Sequence, residues 1–359
     1  MCIRDRSYPI VVGWEILDTF GTRLRSAIPG KKVALVTDDS VGPLYAHRLI
    51  HSLETADYTV LSVTLPAGEK HKQLGTVERI LDACLEARFD RNSAIVALGG
   101  GVVGDMAGFA AAVLLRGIRF VQVPTTIVAQ VDASVGGKTG VDHLRGKNLI
   151  GAFHQPSLVY IDVETLSTLP ERERIAGLAE VLKHAIIRDA ELFRLLESSV
   201  DRFADFDATP EEWVALIERN CAIKADIVGQ DERESGIRAL LNYGHTTGHA
   251  IETLGDYDRY RHGEAVLLGM LIAGEIASGR NLLTEPDHKR HNALINRILR
   301  VPIPTDYSSS DVWECMLSDK KIRDGVLAFI LPTRIGDVTI VRDVKRAEFE
   351  AAWDRAITQ

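Results

Sequence analysis

The amino-acid sequence predicts an N-terminal α/β domain with a mainly parallel sheet, followed by a mostly α-helical C-terminal domain. Short apolar runs alternate with helical patterns in the first half of the chain, whereas helical spacing of apolar residues dominates after residue 165. The chain has 359 residues, which is enough for two hydrophobic cores. We therefore predict domains at 1–165 and 166–359.

Six short apolar runs predict the strands of the N-terminal domain, because turn residues bound them and β-branched residues are frequent in them. They are YPIVVG (8–13), KVALVTD (32–38), YTVLSVTLP (58–66), SAIVALGGG (93–101), FVQVPTT (120–126) and LVYID (158–162). Helical patterns such as TVERILDACLEARF (76–89) separate several of them. This alternation predicts a parallel sheet that is covered on both faces.

Helical spacing of apolar residues predicts four segments of the C-terminal domain. They are ERERIAGLAEVLKHAIIRD (171–189), PEEWVALIERNCAIKADIV (210–228), ALLNYGHTTGHAIETL (239–254) and GEAVLLGMLIAGEIASG (263–279). One late β signal, VLAFILPTRIGDVTIV (326–341), contains an IGD turn.

Composition excludes several classes of protein. The net charge is −8 and no basic tract is present, which argues against nucleic acid as the main partner. The most apolar stretch, AGFAAAVLL (107–115), is too short to span a bilayer. The 4 cysteines form no C-x-x-C pair and no signal peptide is evident, so we expect a cytoplasmic protein. Residues 1–6, MCIRDR, are polar and unpatterned, and we expect that they are not native sequence.

A glycine-rich turn stands between a buried strand and a helix. Gly99, Gly101 and Gly104 fit G-x-G-x-x-G, the Rossmann-like arrangement in which backbone N–H groups approach a pyrophosphate. The same glycines could instead serve close packing alone. No acidic residue ends the next strand, where a Rossmann site would bind the ribose. The candidates to hold a ribose instead are Asp38, Glu69 and Lys72.

Three histidines lie close together in the C-terminal half. His245 and His249 are spaced i,i+4 and share a helix face, and His262 follows. The spacing alone is compatible with ordinary structural or solvated histidines. GLAEVLKHA adds Glu180 and Lys183, and two histidines with one carboxylate form a catalytic zinc set. A threonine follows His245, so the H-E-x-x-H pattern of metalloproteases is absent.

Basic residues cluster near these motifs. DASVGGKTG (132–140) is not a phosphate-binding P-loop, since an aspartate replaces the first glycine, but its lysine can still bind phosphate as a point charge. Any one of these residues could be a solvated surface charge. As a set in an acidic chain, they suggest a substrate that carries phosphate and carboxylate. The residues are Arg116, Lys138, Lys147, Lys183, Lys224, Arg238, Lys320 and Lys321.

From about Ser7 to its end, the chain resembles the 3-dehydroquinate synthase family. The resemblance rests on blocks in family order: SYPIVVG, PAGEKHK, LGGGVVGDMAGFAAA, RGIRFVQVPTT, DASVGGKTGVD, GKNLIGAFHQP, TLSTLPERE, GLAEVLKHAI, RALLNYGHTTGHAIE, HGEAV and DKK. It implies conversion of 3-deoxy-D-arabino-heptulosonate 7-phosphate to 3-dehydroquinate and phosphate in the shikimate pathway. NAD⁺ would act catalytically, with Zn²⁺ or Co²⁺, through oxidation, phosphate elimination, reduction and an intramolecular aldol step.

The resemblance also implies roles for individual residues. The metal ligands would be Glu180, His245 and His262, and His249 would hydrogen-bond or transfer protons. The residues that match NAD⁺ contacts are Asp38, Glu69, Lys72, Gly100, Gly101, Val102, Asp105, Thr125, Thr126, Asp132, Lys147, Thr168, Leu169 and Glu173. Those that match substrate contacts are Asp132, Lys138, Asn148, Lys183, Lys224, Arg238, Asn242, His249 and either Lys320 or Lys321. Arg116 matches a residue that reaches the neighbouring subunit's site, which implies a homodimer.

Three alternatives remain open at the level of the sequence. A cyclase acting on sedoheptulose 7-phosphate would share the NAD and metal motifs, but it would not need Lys224, Arg238 and Asn242 to bind a carboxylate. A metal-dependent polyol dehydrogenase would produce NADH and show little phosphate specificity. A protein with structural zinc would usually supply four ligands, often cysteines.

Overall fold

The structure is a computed structural model that describes residues 1–3, 6–234, 236–304, 306–318 and 327–357. Its strands are β1 (Cys2–Ile3), β2 (Arg6–Ser7), β3 (Ile10–Gly13), β4 (Lys32–Asp38), β5 (Thr59–Leu65), β6 (Ala94–Gly99), β7 (Arg119–Pro124), β8 (Lys138–His143), β9 (Gly146–Phe153), β10 (Leu158–Asp162), β11 (Phe329–Arg334) and β12 (Asp337–Val341). Its α-helices are α1 (Phe20–Ala27), α2 (Gly42–Thr55), α3 (Leu74–Glu86), α4 (Gly101–Val113), α5 (Glu171–Arg188), α6 (Ala190–Ala204), α7 (Pro210–Gln230), α8 (His245–Leu254), α9 (His262–Gly279), α10 (Glu285–Ile298), α11 (Ser309–Leu317) and α12 (Arg346–Ile357).

A six-stranded parallel sheet organises the first of two units, which comprises Met1–Leu169 and Thr209–Arg233. Its strand order is β3-β10-β7-β6-β4-β5, and each strand coincides with one of the six predicted runs, although β7 begins one residue before its run, at Arg119. The predicted α/β fold is therefore confirmed. The order in which successive strands are added across the sheet reverses between β4 and β6, because β4 leads to β5 on one side and β6 leads to β7 on the other. Such a reversal opens a crevice at the carboxyl ends of the strands.

Helices cover both faces of this sheet. Along β4, Val33 and Leu35 pack with α1 and α2, whereas Ala34 and Val36 pack with α3 and α4. All four side chains are fully buried, which explains why the strand is continuously apolar rather than alternating.

The antiparallel pair β8–β9 was not predicted from the sequence. Glycines are frequent in this stretch, and several of its side chains are exposed. At Gly140 an added Cβ would lie 2.5 Å from the carbonyl oxygen of Ile150, so close strand pairing requires glycine. Glycines at such contacts remove the apolar alternation by which strands are recognised.

The second unit comprises Pro170–Ala208 and Glu234–Gln359 and is mostly helical, as predicted. Helix α9 is buried from Gly263 to Ala277, and α5, α8, α10 and α12 pack around it. The predicted β signal with its IGD turn forms the hairpin β11–β12, and Gly336 adopts the left-handed region with φ +93°. None of the described helices is long and apolar enough to cross a membrane. The domain boundary at residue 165 stays a prediction.

The predicted helix over 239–254 is wrong for residues 239–244. Residues Ile237–Asn242 form a 3₁₀ turn, and α8 begins only at His245. The break lies at Gly244, whose φ is +77°, a conformation that other residues rarely adopt. Leu240 and Leu241 fit the apolar spacing of a helix that continues into α8. Apolar periodicity therefore could not predict the break between the 3₁₀ turn and α8.

Candidate functional site

Three helices of the second unit place a carboxylate and two imidazoles side by side. Glu180 lies in the middle of α5, His245 is the first residue of α8, and His262 is the first residue of α9. One ligand atom from each lies within 4.8 Å of the others. The Glu180 Oε1 atom is 3.3 Å from Nε2 of His262 and 3.6 Å from Nε2 of His245. This geometry suits a divalent cation bound by two nitrogens and one oxygen.

Glycines allow the three helices to approach one another this closely. A Cβ added at Gly263 would lie 1.8 Å from the carbonyl oxygen of Ala176 on α5. A Cβ added at Gly269 would lie 1.9 Å from the carbonyl oxygen of Gly244, beside the start of α8. The backbones of α5 and α8 therefore occupy the space of these missing side chains, which brings the three ligand-bearing positions together.

Each histidine of the set has a separate acceptor for its second ring nitrogen. His245 Nδ1 is 3.0 Å from the carbonyl oxygen of Tyr243, and His262 Nδ1 is 3.3 Å from Oε2 of Glu252. Burial would lower the pKa of His262, but the carboxylates of Glu252 and Glu180 raise it to about 10. The negative potential that favours a protonated imidazole also favours a bound cation.

His249 and Lys183 border the same cluster. The ring of His249 lies 5.5 Å from that of His245 and 6.1 Å from that of His262, measured between centroids. Lys183 is buried and forms an ion pair with Glu180. His249, Glu252 and His262 form a second group that could hold an ion. Both expected proton-transfer residues therefore lie beside the expected metal ligands.

Arg238 and Asn242 lie on the 3₁₀ turn that directly precedes α8. The guanidinium-bearing side chain of Arg238 is 2% exposed. Asn242 donates a hydrogen bond from its amide to the carboxylate of Glu234. An arginine buried this deeply needs anionic or polar partners, and Arg238 lies on the same short turn as Asn242.

In the first unit, the glycine-rich turn lies where the strand order of the sheet reverses. Gly100 and Gly101 connect β6 to α4, and no side chain caps the helix. The N–H groups at the start of α4 are thus oriented for an anion. Asp38 ends β4 in the neighbouring position and accepts hydrogen bonds from the backbone N–H groups of Ser40 and Val41. Val102 follows in the first turn of α4.

Thr125 and Thr126 follow β7 beside the same turn. The backbone N–H of Thr125 donates to the carbonyl of Gly99 at 3.0 Å. Thr125 Oγ1 is buried and finds no hydrogen-bond partner among the residues that the structure describes. Buried hydroxyls are normally satisfied, so this atom fits a bound polar ligand. The helix N-terminus and this hydroxyl fit a dinucleotide at the carboxyl edge of the sheet.

Lys72 connects several residues that were expected to bind NAD⁺. Its ammonium lies 2.7 Å from Oδ2 of Asp105, 3.9 Å from Oε1 of Glu69 and 2.6 Å from Oδ1 of Asn148. Lys147 lies 3.6 Å from Oε1 of Glu69. Burial would lower the pKa of Lys72, but Asp105 and Glu69 raise it above its ordinary value. These five expected site residues therefore form one cluster.

The remaining expected residues of the first unit are more dispersed. Asp132 lies in a π-helix, Ala129–Ala133, and forms an ion pair with Lys224 on α7. Lys138 begins β8 and is exposed. Arg116 follows α4 with φ +68°. Thr168 bonds the hydroxyl of Tyr45 at 2.6 Å, and the residue after it, Leu169, ends this part of the unit.

The last three expected residues are Glu173, Lys320 and Lys321. Glu173 belongs to the second unit, on α5, where it pairs with Arg261 at 2.9 Å. Lys320 and Lys321 lie outside the described residues.

The sequence analysis missed two carboxylates beside the expected sites. Glu252 lies on α8 and shares a face with His245 and His249, so the spacing that paired the histidines could have identified it as well. Glu234 lies in a loop and carries no periodic signal. Its contact with Asn242 required the folded structure.

Two family models match the chain. The model for the 3-dehydroquinate synthase N-terminal region matches residues 62–176, and that for the C-terminal region matches residues 177–322. A 3-dehydroquinate synthase from Desulforamulus reducens is 50% identical over 348 residues, covering 97% of this chain and 96% of that protein. One from Geobacter metallireducens is 51% identical over 339 residues, covering 94% and 93%.

Solved structures show the same fold. A 2-epi-5-epi-valiolone synthase from Streptomyces hygroscopicus, with NAD⁺ and Zn²⁺ bound, has a TM-score of 0.90 at 31% identity, covering 100% of this chain and 99% of that chain. A 2-deoxy-scyllo-inosose synthase complexed with carbaglucose-6-phosphate, NAD⁺ and Co²⁺ has a TM-score of 0.87 at 28% identity, covering 99% and 98%. A probable glycerol dehydrogenase from Sinorhizobium meliloti shares the fold at 16% identity and a TM-score of 0.67, covering 98% of each chain.

Proposed function

Because this chain belongs to the 3-dehydroquinate synthase family, we propose that it converts 3-deoxy-D-arabino-heptulosonate 7-phosphate to 3-dehydroquinate and phosphate. The reaction belongs to the shikimate pathway, which supplies chorismate and the aromatic amino acids. The enzyme is a phosphate-eliminating carbon–oxygen lyase that requires NAD⁺ and a divalent metal, Zn²⁺ or Co²⁺. The observation that carries the proposal is the convergence of Glu180, His245 and His262, which are distant in sequence, within 4.8 Å.

The metal and NAD⁺ have defined places in this proposal. Glu180, His245 and His262 hold the cation. The glycine-rich turn at Gly100 and Gly101 holds the NAD⁺ pyrophosphate, and the groups around Asp38, Lys72 and Thr125 hold the rest. When bound, the metal would supply polarisation of substrate hydroxyls, and NAD⁺ would supply reversible hydride transfer without net redox change.

The side chains bind the two anionic ends of the substrate. Lys138 is exposed at the start of β8 and binds the phosphate as a point charge. One of the lysine pair Lys320 and Lys321 contributes a further cation. Arg238, Lys224 and Asn242 bind the carboxylate, and the planar guanidinium of Arg238 suits two parallel hydrogen bonds to it. Asn148 and Asp132 match further substrate contacts of the family.

Two residues beside the metal ligands move protons or hold them in place. His249 lies within 6.1 Å of both ligand rings, measured between centroids. Lys183 contacts the ligand Glu180. Both can exchange a proton with a substrate hydroxyl next to the metal position. Much of their contribution is positioning, because the substrate's own phosphate can act as a base.

We also propose that the enzyme is a cytoplasmic homodimer. The family resemblance supports this proposal through Arg116, which matches a residue that reaches the active site of the neighbouring subunit. The side chain of Arg116 is exposed, and this residue ends the short 3₁₀ turn Leu114–Arg116 that follows α4.

Incubation with the heptulosonate phosphate, a trace of NAD⁺ and Zn²⁺ or Co²⁺ tests the activity. We expect phosphate release without accumulation of NADH. Sedoheptulose 7-phosphate, which lacks the carboxylate, serves as the control substrate. Faster turnover of sedoheptulose 7-phosphate would favour the sibling cyclase, and stoichiometric NADH from a polyol would favour a dehydrogenase.

The variant His262→Ala tests the metal site. We expect it to lose metal binding and activity together, because one of three ligands is removed. His51→Ala, which removes a histidine exposed on α2, is the control and should keep both. Full activity of His262→Ala in metal-depleted buffer would refute the assignment.

A further inference from the structure

Glu252 is a buried carboxylate that the proposed catalytic steps do not use. It lies on α8, and its side chain is only 3% exposed. A buried carboxylate is costly unless it is hydrogen-bonded or paired. Glu252 lies on the same face of α8 as His245 and His249, and therefore beside the candidate metal ligands.

The imidazole of His262 lies between two carboxylates. Its Nδ1 atom is 3.3 Å from Oε2 of Glu252, and its Nε2 atom is 3.3 Å from Oε1 of Glu180. When Nδ1–H of His262 donates to Glu252, Nε2 carries the lone pair. That lone pair faces the candidate metal position shared with Glu180 and His245. The opposite tautomer would place a hydrogen on the nitrogen that is needed for a metal.

We propose that Glu252 is a positioning residue that fixes the ring orientation and tautomer of the metal ligand His262. The inference rests on the proposed function, since it assumes a metal at Glu180, His245 and His262. Carboxylates that accept from the second nitrogen of a metal-bound histidine raise the basicity of the ligand and hold its ring. His245 has a matching partner in the carbonyl oxygen of Tyr243, 3.0 Å from its Nδ1.

Glu252 is also a member of the second candidate group, with His249 and His262. One ring nitrogen of His262 cannot face Glu180 and Glu252 at once. The geometry favours Glu180 and His245, because Oε1 of Glu180 lies near Nε2 of both His245 and His262, whereas Oε2 of Glu252 faces Nδ1 of His262. Glu252 therefore acts through His262 rather than as a ligand.

Metal affinity of the full-length protein tests this role without a measurement of turnover. Metal-free protein is titrated with Zn²⁺ in competition with a chromophoric chelator. We expect Glu252→Gln to weaken binding about 10-fold and Glu252→Ala about 100-fold, the range found when such outer partners are removed. Glu252→Asp, which keeps the charge on a shorter side chain, should fall between wild type and Glu252→Gln.

The matched control is Glu197→Gln, which neutralises a partly buried carboxylate of the same unit that pairs with Arg290. It should leave the Zn²⁺ affinity unchanged. Melting temperatures of the metal-free variants show whether a loss of Zn²⁺ affinity comes from a misplaced His262 ring or from a destabilised fold. If Glu252→Ala does not fold, Glu252→Gln and Glu252→Asp decide the question.

The outcomes separate this inference from the proposed function. Wild-type affinity in Glu252→Gln would overturn the inference alone, as would a lowered melting temperature with unchanged affinity. A wild-type protein that binds two ions, or one whose single ion is lost in Glu252→Gln but kept in Glu180→Gln, would make Glu252 a ligand and overturn it too. A wild-type protein that binds no Zn²⁺ would overturn both.

Discussion

Gly269→Ala tests whether the close crossing of α8 and α9 assembles the metal site. The added Cβ would lie 1.9 Å from the carbonyl oxygen of Gly244, 2.8 Å from the carbonyl carbon of Gly244 and 3.0 Å from the backbone nitrogen of Gly248. All three are backbone atoms, so no side-chain rotation can relieve the contact. The two helices must move apart.

The magnitude follows from these distances. Carbon and carbonyl oxygen rarely approach closer than about 3.3 Å, so the helices must separate locally by more than about 1 Å. Overpacking costs about 1–3 kcal/mol, and we expect the upper end because only backbone can yield. A loss of about 3 kcal/mol lowers the melting temperature by roughly 6–12 °C in a domain of this size. His245 shifts away from His262, and metal sites tolerate only about 0.5 Å of displacement.

Thermal unfolding of the metal-free protein and Zn²⁺ titration are the assays. Gly279→Ala, at the end of α9, is the matched control, because its Cβ would meet only the flexible end of Arg355, at 3.3 Å. It should change the free energy of unfolding by less than about 1 kcal/mol and leave the affinity unaltered. If Gly269→Ala melted and bound Zn²⁺ like the wild type, our account of the helix crossing would be refuted.

Two further predictions concern a substrate contact and the effect of pH. Arg238→Ala should weaken binding of the heptulosonate phosphate about 10- to 100-fold, the loss expected for hydrogen bonds to a charged group, while NAD⁺ affinity changes less than about 2-fold; equal losses by calorimetry would count against the assignment. Burial lowers the pKa of His291 to about 4 against the opposing effect of its hydrogen bond to Asn292, compared with about 6.5 in an unfolded chain. The unfolded state therefore gains the proton first, so stability contributed by neutral His291 above pH ~6.5 is lost as the pH falls toward 4. His291→Gln should reduce the change of the urea midpoint with pH between about pH 4 and 6.5. A variant whose urea midpoint changes with pH as steeply as that of the wild type would contradict the prediction.

The fold was predictable wherever burial leaves a continuous apolar pattern. The strands that contain Val33–Val36 and Ile95–Leu98 are buried on both sides, so their sequences consist almost entirely of apolar residues. The pair β8–β9 has no such pattern, because glycines at 140 and 151 replace side chains where its strands touch. The break before α8 was equally hidden, since its cause is the backbone conformation of Gly244 and not the polarity of its neighbours.

The candidate metal site was only partly predictable from the sequence. Helical periodicity places His245 and His249 on one face, but it does not say which of them faces Glu180 on another helix. Resemblance to the family supplied the ligand set, and in the structure Oε1 of Glu180 lies 3.6 Å from Nε2 of His245 and 3.3 Å from Nε2 of His262. Contacts between elements far apart in the chain, such as that between Tyr243 and His291 at 2.6 Å, have no counterpart in local sequence.

Helix α7 belongs with the first unit although the polypeptide enters the second unit before reaching it. All six strands of the parallel sheet are therefore synthesised before helix α7, which packs with β3 in the first unit. Until residue 224 has been synthesised, Asp132 lacks its ion-pair partner Lys224 and the carbonyl oxygen of Gln130 lacks the thiol of Cys221 that donates to it. Neither unit can be expressed as one uninterrupted gene fragment, and a nascent chain halted at residue 169 would expose the apolar surface that α7 covers beside β3.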